Sequence, residues 1–267
     1  MSKRDYGHFY EHEYRQLRPR SEGKLNHKEN LDKTFKRMRL LGREIAYKVR
    51  SHINSGLTIE IGSSIGGILK GFQDIIGGDV IGIEPSTEES GFAEAAGVKT
   101  YVSLFEDFKE NIPPADNILI VRSFNHLLDP KQFLTWANLN LKENGHLIIL
   151  VLDFLKVCSR KGCIYTQIDH PFMFHSRVLK AFVESAGFKV DLLTSPKAGY
   201  LFLIGEKLNT QPFTNVYFSK NNYQKTKSSL GWLRVKAGHV FYRLRSILEK
   251  WKIKASQYVK INIWIKK

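Results

Sequence analysis

Leu57-Thr58-Ile59-Glu60-Ile61 runs straight into Gly62-Ser63-Ser64-Ile65-Gly66-Gly67, and Ile68, Leu69 and Phe72 follow on one helical face. The first five residues read as a short buried strand, the glycines as a sharp turn, and the apolar spacing after them as a helix. Strand, glycine turn and helix in that order open a βαβ unit. The turn then lies at the carboxyl end of its strand, where open α/β sheets bind ligands.

The alternation continues downstream. Asp79-Val80-Ile81-Gly82-Ile83-Glu84 predicts a second strand and Ser86 to Ala96 a second helix. Val98 to Val102 is a third strand and Asn117 to Val121 a fourth, followed by a helix from about Pro130 to Leu141 and a fifth strand over Gly145 to Val151. Strands written as continuous apolar runs and separated by helices call for a parallel sheet covered on both faces. After a helix at Ser176 to Ala186 the pattern breaks. Phe188 to Leu193 and Tyr200 to Gly205 are separated only by Thr194-Ser195-Pro196-Lys197-Ala198-Gly199, which leaves no room for a helix. A hairpin is expected there, with the last strand antiparallel to the rest. The fold class is therefore α/β, a seven-stranded sheet that is mostly parallel with a C-terminal antiparallel hairpin. A nicotinamide-dinucleotide domain has no need of that hairpin.

Upstream, Leu31, Phe35, Met38, Leu41, Ile45, Val49 and Ile53 recur at spacings of three and four, with Lys33, Lys36, Arg37, Arg39 and Arg43 on the other sides. They predict an amphipathic helix that stops near Asn54-Ser55-Gly56. Among the 267 residues 42% are apolar, too many for a disordered chain. Cys158 and Cys163 are the only thiols, which excludes a disulfide-stapled secreted scaffold and offers no metal site. The longest apolar run, Leu147 to Leu152, is far short of the roughly 20 residues that span a bilayer, and the charged start shows no secretory signal. A reducing cytoplasm is the expected setting.

The net charge of +15 is unevenly spread: +7 over residues 1–50, −5 over 51–206 and +13 over 207–267, where Glu249 is the only acid. An organisation follows from this, with an N-terminal helical arm over 1–54, a core over 55–206 and a basic extension over 207–267. Basic arms are drawn to phosphate-bearing surfaces, although solvated amphipathic helices have the same composition. In the extension, Leu233, Ala237, Val240, Phe241, Leu244, Ile247, Leu248 and Trp251 share one helical face, with Arg234, Lys236, Arg243, Arg245, Lys250 and Lys252 around it. Tyr258 to Lys267 adds Ile261, Ile263, Trp264 and Ile265. That is the make-up of an interfacial helix. Residues 230–267 are expected to meet an anionic membrane surface on the cytoplasmic face or a protein partner, with packing on the chain's own core as the alternative. Nucleic acid is disfavoured, because no RNA-binding module accompanies the charge.

Glu60-Ile61-Gly62-x-x-x-Gly66 alone is a loose pattern. Glu84 closes the second strand 24 residues after Glu60, where an acid that binds ribose hydroxyls belongs. A nucleoside-triphosphate phosphate loop is absent. With Ile83-Glu84-Pro85-Ser86, Ser123-Phe124-Asn125-His126-Leu127-Leu128-Asp129-Pro130, His170-Pro171-Phe172-Met173-Phe174 and Ser185-Ala186-Gly187-Phe188 following in order, residues 55–206 resemble the class I S-adenosylmethionine-dependent methyltransferases, in particular their small-molecule and glycan-type branch. Ser64 departs from the family, which often has a middle glycine there.

The resemblance implies a Rossmann-like core and S-adenosyl-L-methionine as cofactor. It implies that Glu60 and the backbone of Gly62, Ser63 and Gly66 face the methionine part, that Glu84 with Pro85 takes the ribose, and that Phe105-Glu106-Asp107 lies beside the adenine. Ser123, Phe124, Asn125 and His126 would floor the pocket near the sulfonium. Phe105 reads equally as core, and Glu106-Asp107 as a helix cap. For the base, His126, His170, His175 and Asp153 all follow strands at the sheet's carboxyl edge, and imidazole has the suitable pKa. His126 is the first candidate, with His170 and Asp153 behind it. Phe9-Tyr10-Glu11-His12-Glu13-Tyr14-Arg15 resembles the lid ahead of the core in many family members, so Tyr14 and Arg15 either close over the cofactor or sit on a surface helix.

The expected function is O-methylation of a small-molecule or sugar acceptor, including a surface-polysaccharide or lipid-linked one. The alternatives are a quinone- or lipid-type acceptor, an RNA methyltransferase, or a non-catalytic binding module on the same fold.

Overall fold

A computed structural model describes residues 3–14, 27–161, 170–194 and 199–213. The chain divides into two compact units, Met1–Leu152 with Asp169–Tyr217 and Asp153–Ile168 with Phe218–Lys267. In the first, the chain begins with helix α1 (Lys3–His8), a π-helical turn at Phe9–Glu13 and the long helix α2 (His27–Val49). The core follows as β1 (Thr58–Ile61), α3 (Gly67–Ile76), β2 (Val80–Glu84), α4 (Thr87–Ala95), β3 (Lys99–Val102), β4 (Ala115–Val121), α5 (Pro130–Asn140) and β5 (Leu141–Leu152). Of the second unit the described part is α6 (Phe154–Lys161), whose first turn is capped by the Asp153 carboxylate accepting from Lys156 N–H at 3.3 Å. The first unit closes with α7 (Ser176–Ser185), β6 (Phe188–Thr194) and β7 (Tyr200–Lys207). No helix among the described residues is long and apolar enough to cross a membrane.

The seven strands form one sheet in the order β3-β2-β1-β4-β5-β7-β6. Every pair from β3 to β5 is parallel, and β7 runs antiparallel to both β5 and β6. This is the Rossmann-like arrangement with a terminal hairpin that the sequence predicts. Alternation along the strands builds two apolar layers. Leu119, Val121, Ile148, Leu150, Phe202 and Ile204 pack against Ile45, Val49 and Phe72 of α2 and α3. Their neighbours Ile118, Ile120, Leu147, Ile149, Leu201 and Leu203 pack against Phe133, Leu134, Leu179 and Val183 of α5 and α7. Strands buried on both sides must read as unbroken apolar runs, and these do.

Several boundaries differ from the sequence expectation by two residues or more, and two of them are instructive. β5 begins at Leu141 rather than Gly145, and Leu141 pairs with Ala115 although Lys142, Glu143 and Asn144 are exposed. Backbone pairing at a sheet end needs no apolar side chain, so hydropathy misses it. Helix α2 stops at Val49, before the expected Gly56, while Ile53 beyond it is still buried. The apolar period persists there because the chain stays against the core after the helix ends.

Two helix starts are signalled by their caps. Ser86 Oγ accepts from Glu89 N–H ahead of α4, and Asp129 accepts from Lys131 and Gln132 N–H ahead of Pro130 and α5. The seating of α2 on α3 depends on glycine. A Cβ at Gly71 would lie 1.9 Å from the Arg39 carbonyl oxygen, and one at Gly42 would lie 2.1 Å from that of Ile68. The two helix backbones meet directly, which brings Arg37 and Met38 of α2 to the carboxyl end of the sheet.

Candidate active site

At that end lies a cavity of about 320 Å³, large enough for a small-molecule ligand. Its floor is the turn after β1. Gly62 takes φ +71, and a Cβ there would meet Ser123 Oγ at 2.4 Å, so the β1 and β4 loops touch through it. Ser64 adopts φ +53, the left-handed conformation that the family's usual glycine would take without strain. Its N–H donates to Glu84 Oε2 at 2.9 Å, while Ser86 N–H donates to Oε1 at 3.0 Å. Both oxygens of Glu84 are thus aimed by backbone, and a carboxylate held this way still has lone pairs for further donors.

Glu60 is fully buried. Ile59 and Ile61 belong to the α5 side, so Glu60 faces the α2–α3 side, in register between Gly82 and Leu119. Neither of its carboxylate oxygens has a hydrogen-bond partner, and the same holds for Ser63 Oγ and Asn125 Nδ2. Burial, with the charge of Glu84 as a second cause, holds the Glu60 carboxyl well above its usual range. Buried polar groups left unpaired are rare, and of these three residues Ser63 is the one in the cavity wall.

The remaining expected residues divide in two. Ser63, Pro85, Phe105, Glu106, Ser123, His126 and Tyr14 line the cavity. Glu60, Gly66, Phe124, Asn125 and His170 are not in its wall. Gly66 is turned toward α4 and β3, where a Cβ would meet Ala93 and Val98, so its φ of +73 serves the turn into α3. Phe124 is core, edge-on to Phe133 and tilted against Phe174. Asn125 is buried beneath the loop. Asp153 caps α6 in the second unit, and His175 is buried at the start of α7. Glu106 accepts from Leu128 N–H at 2.9 Å, tying the short 3-10 turn Phe105–Asp107 to the β4 loop.

His126 is where several elements converge. Its ring lies 4.5 Å, edge to face, from that of His170. Tyr10 Oη is 2.7 Å from His126 Nδ1, and Tyr6 Oη donates to the His126 carbonyl at 2.5 Å. Burial and then Glu106 raise the Tyr6 hydroxyl far above the usual phenol range, which keeps it a neutral donor. Tyr6 and Tyr10 were not among the expected site residues, although Tyr6, Tyr10 and Tyr14 recur every four residues, one helical face. Arg37, Met38 and Arg122 also line the cavity unexpectedly. Arg122 holds φ +63 with its guanidinium 4.9 Å over the Tyr200 ring. Arg15, Cys163 and residues 214–267, including the amphipathic face of the extension, lie outside the described residues. Among the described residues no group of three or more His, Cys, Asp or Glu could hold a metal ion.

Comparison with known proteins agrees with this geometry. The family model described as "Methyltransferase domain" matches residues 6–193. An uncharacterised protein of Methanocaldococcus jannaschii is 29% identical over 125 residues, 47% of this chain and 58% of its own, so the chain spans little more than half the length of that relative. A Haloferax volcanii protein solved in complex with the Trm112 methyltransferase activator is 18% identical with a TM-score of 0.56, over 67% of this chain and 95% of that one. The magnesium protoporphyrin IX methyltransferase of Synechocystis with bound S-adenosylhomocysteine is 12% identical with a TM-score of 0.54, over 76% and 98%. At these identities the structural likenesses speak for the fold alone.

Proposed function

The chain belongs to the class I S-adenosylmethionine-dependent methyltransferases, and from that premise we propose that it methylates a hydroxyl oxygen of a small-molecule or sugar acceptor, with His126 as the base. The residues present fit the cofactor. Glu84 offers a carboxylate for a ribose diol, and the buried, unpartnered Glu60 and Ser63 Oγ offer acceptors for the polar amino-acid part. Phe105 and Glu106 also line the cavity and would stand beside an adenine. When bound, S-adenosylmethionine supplies a methyl group made electrophilic by its sulfonium.

A displacement at such a carbon asks three things of the protein: alignment, exclusion of water and removal of one proton. The tyrosines of the N-terminal segment and Met38 wall the cavity. His126 would take the acceptor's hydroxyl proton as the C–O bond forms and the methyl carbon–sulfur bond breaks to leave the thioether S-adenosylhomocysteine, and would later give that proton to solvent. His170 stands beside it as the second imidazole. The observation that carries this reading is the His126 ring at the cavity wall, held by Tyr10. An amine acceptor is already nucleophilic when neutral and needs no such base, which favours oxygen.

Release of S-adenosylhomocysteine is the test, measured with full-length protein against panels of sugars, phenols and amines. Turnover with hydroxyl acceptors that is lost in His126→Gln, while S-adenosylhomocysteine affinity is retained, is expected. Turnover with amines alone would overturn the reading. The sequence of the extension, with fourteen Lys and Arg after residue 206, supports an acceptor presented at an anionic membrane surface. Co-sedimentation with anionic but not neutral vesicles is expected, and equal sedimentation with both would remove that part of the proposal.

A further inference from the structure

We infer that Tyr10 is a positioning residue: its hydroxyl oxygen accepts from Nδ1–H of His126 and thereby selects the imidazole tautomer that presents Nε2 as the proton acceptor. The inference rests on the reading of His126 as the base, and it brings the N-terminal segment into the reaction as more than a cover.

The contacts around this ring are unusually complete. Tyr6, buried one turn before Tyr10, donates to the His126 carbonyl and so holds the residue's backbone. Tyr10 Oη, 2.7 Å from Nδ1, holds the ring's rotation about its side-chain bonds. Tyr14 and His170 stand edge-on to the same ring, at 5.9 and 4.5 Å between centroids and interplanar angles of 75° and 81°. Three aromatic residues at four-residue spacing therefore meet one histidine that is more than a hundred positions away in the chain.

A neutral imidazole carries its proton on one nitrogen only, and the partner of that nitrogen decides which. A phenol can donate or accept, so the 2.7 Å separation is compatible with two arrangements. If Tyr10 donates to Nδ1, the ring proton sits on Nε2 and that nitrogen cannot take another. If Tyr10 accepts from Nδ1–H, Nε2 carries the lone pair. The second arrangement also survives proton uptake unchanged, because in the imidazolium both nitrogens are donors and Nδ1–H still points at the phenol oxygen. Direct proton uptake by Nε2 and the Tyr10 contact are compatible in that orientation alone. Among the described residues, titratable groups with rings against the His126 ring are Tyr10 and Tyr14 from the N-terminal segment and His170 from the stretch before α7. Glu106 bears on it through Tyr6 and the Leu128 amide.

Long-range proton–nitrogen NMR of uniformly 15N-labelled full-length protein reads the tautomer directly, with the His126 signals identified by their absence in His126→Gln. The wild-type ring is expected to show protonated Nδ1 and unprotonated Nε2 above its titration, and Tyr10→Phe is expected to gain the Nε2–H form. A wild-type ring protonated on Nε2 would overturn the inference, and so would a Tyr10→Phe spectrum identical to the parent's. Should Tyr10→Phe fail to fold, judged by its circular dichroism and S-adenosylhomocysteine binding, the wild-type spectrum decides alone. Failure of the underlying reading is separate: His126→Gln would then keep its turnover whatever the tautomer.

Discussion

The two ends of the central strands are built on opposite principles. At the amino end, Asp116 accepts from Leu57 N–H and from Lys142 Nζ, both at 2.8 Å, and Asn117 Nδ2 donates to the Asn54 carbonyl and to Thr58 Oγ1. Only Asn117 Oδ1 is left unpaired there among the described side chains. At the carboxyl end, Glu60, Ser63 and Asn125 are buried with unpaired polar atoms, and Ser64 and Arg122 hold positive φ, as Asn144 alone does at the amino end of β5 among the described non-glycine residues at these strands' ends. Left-handed backbone at a residue other than glycine and unsatisfied buried groups each cost free energy. They persist because the other end and the two apolar layers over-determine the fold. One end is nearly closed in its polar bonding, and the other leaves several buried polar atoms open beside a cavity.

Several substitutions would break or sharpen that contrast. The largest effect is expected from Glu84→Ala, which on the proposed ribose assignment would remove two charge-assisted contacts and should weaken S-adenosylhomocysteine binding about a hundredfold, close to 3 kcal/mol. Calorimetric titration reads it, and unchanged affinity would undo the ribose assignment. Asp116→Ala should do the reverse. It strips the partner from Leu57 N–H and should cost about 2 kcal/mol of stability in urea unfolding with cofactor affinity unchanged.

Glu60→Gln separates the two principles in one residue. Its carboxyl is raised in the fold, so the protonated form is favoured: that contribution is fully present below the unfolded carboxylate pKa and is lost as pH rises through the folded value. The ligand-free parent should therefore lose stability as pH rises, whereas Glu60→Gln should not, and at pH 8 the variant should be the more stable of the two. Its cofactor affinity should fall, and thermal melts with and without S-adenosylhomocysteine would show both.

The smallest effect concerns the seating of α2. Arg39 donates two hydrogen bonds to Asp74 and holds its carboxyl below the usual range. That support is present above the unfolded carboxylate pKa and disappears as pH falls through the folded one. Because Arg39 is nearly half exposed, Arg39→Ala should cost only about 0.5 kcal/mol, less still in high salt. A melt at pH 7 that shows no difference at low salt would mean the glycine contacts alone seat the helix.

Much of this was legible in the chain itself. Apolar runs such as Ile118 to Val121 and Leu147 to Val151 required a sheet buried on both faces. The missing helix between Thr194 and Tyr200 required the hairpin. Glu84 was legible because its distance from Glu60 is set by one βαβ unit. Gly66, Phe124 and Asn125 were harder. They share motifs with lining residues, yet side-chain direction within a tight loop depends on what packs behind it.

Periodicity, glycine punctuation and charge are local, and they alone determined the element order, the fold class and the position of the ligand loops. Tertiary structure decided that α2 could lie on α3 backbone to backbone and that Glu60 would be left without a partner. It also decided that three tyrosines near the amino terminus would close on His126. Each of these depends on groups far apart in sequence meeting at van der Waals or hydrogen-bond distance, and no pattern along a single stretch of chain carries that information.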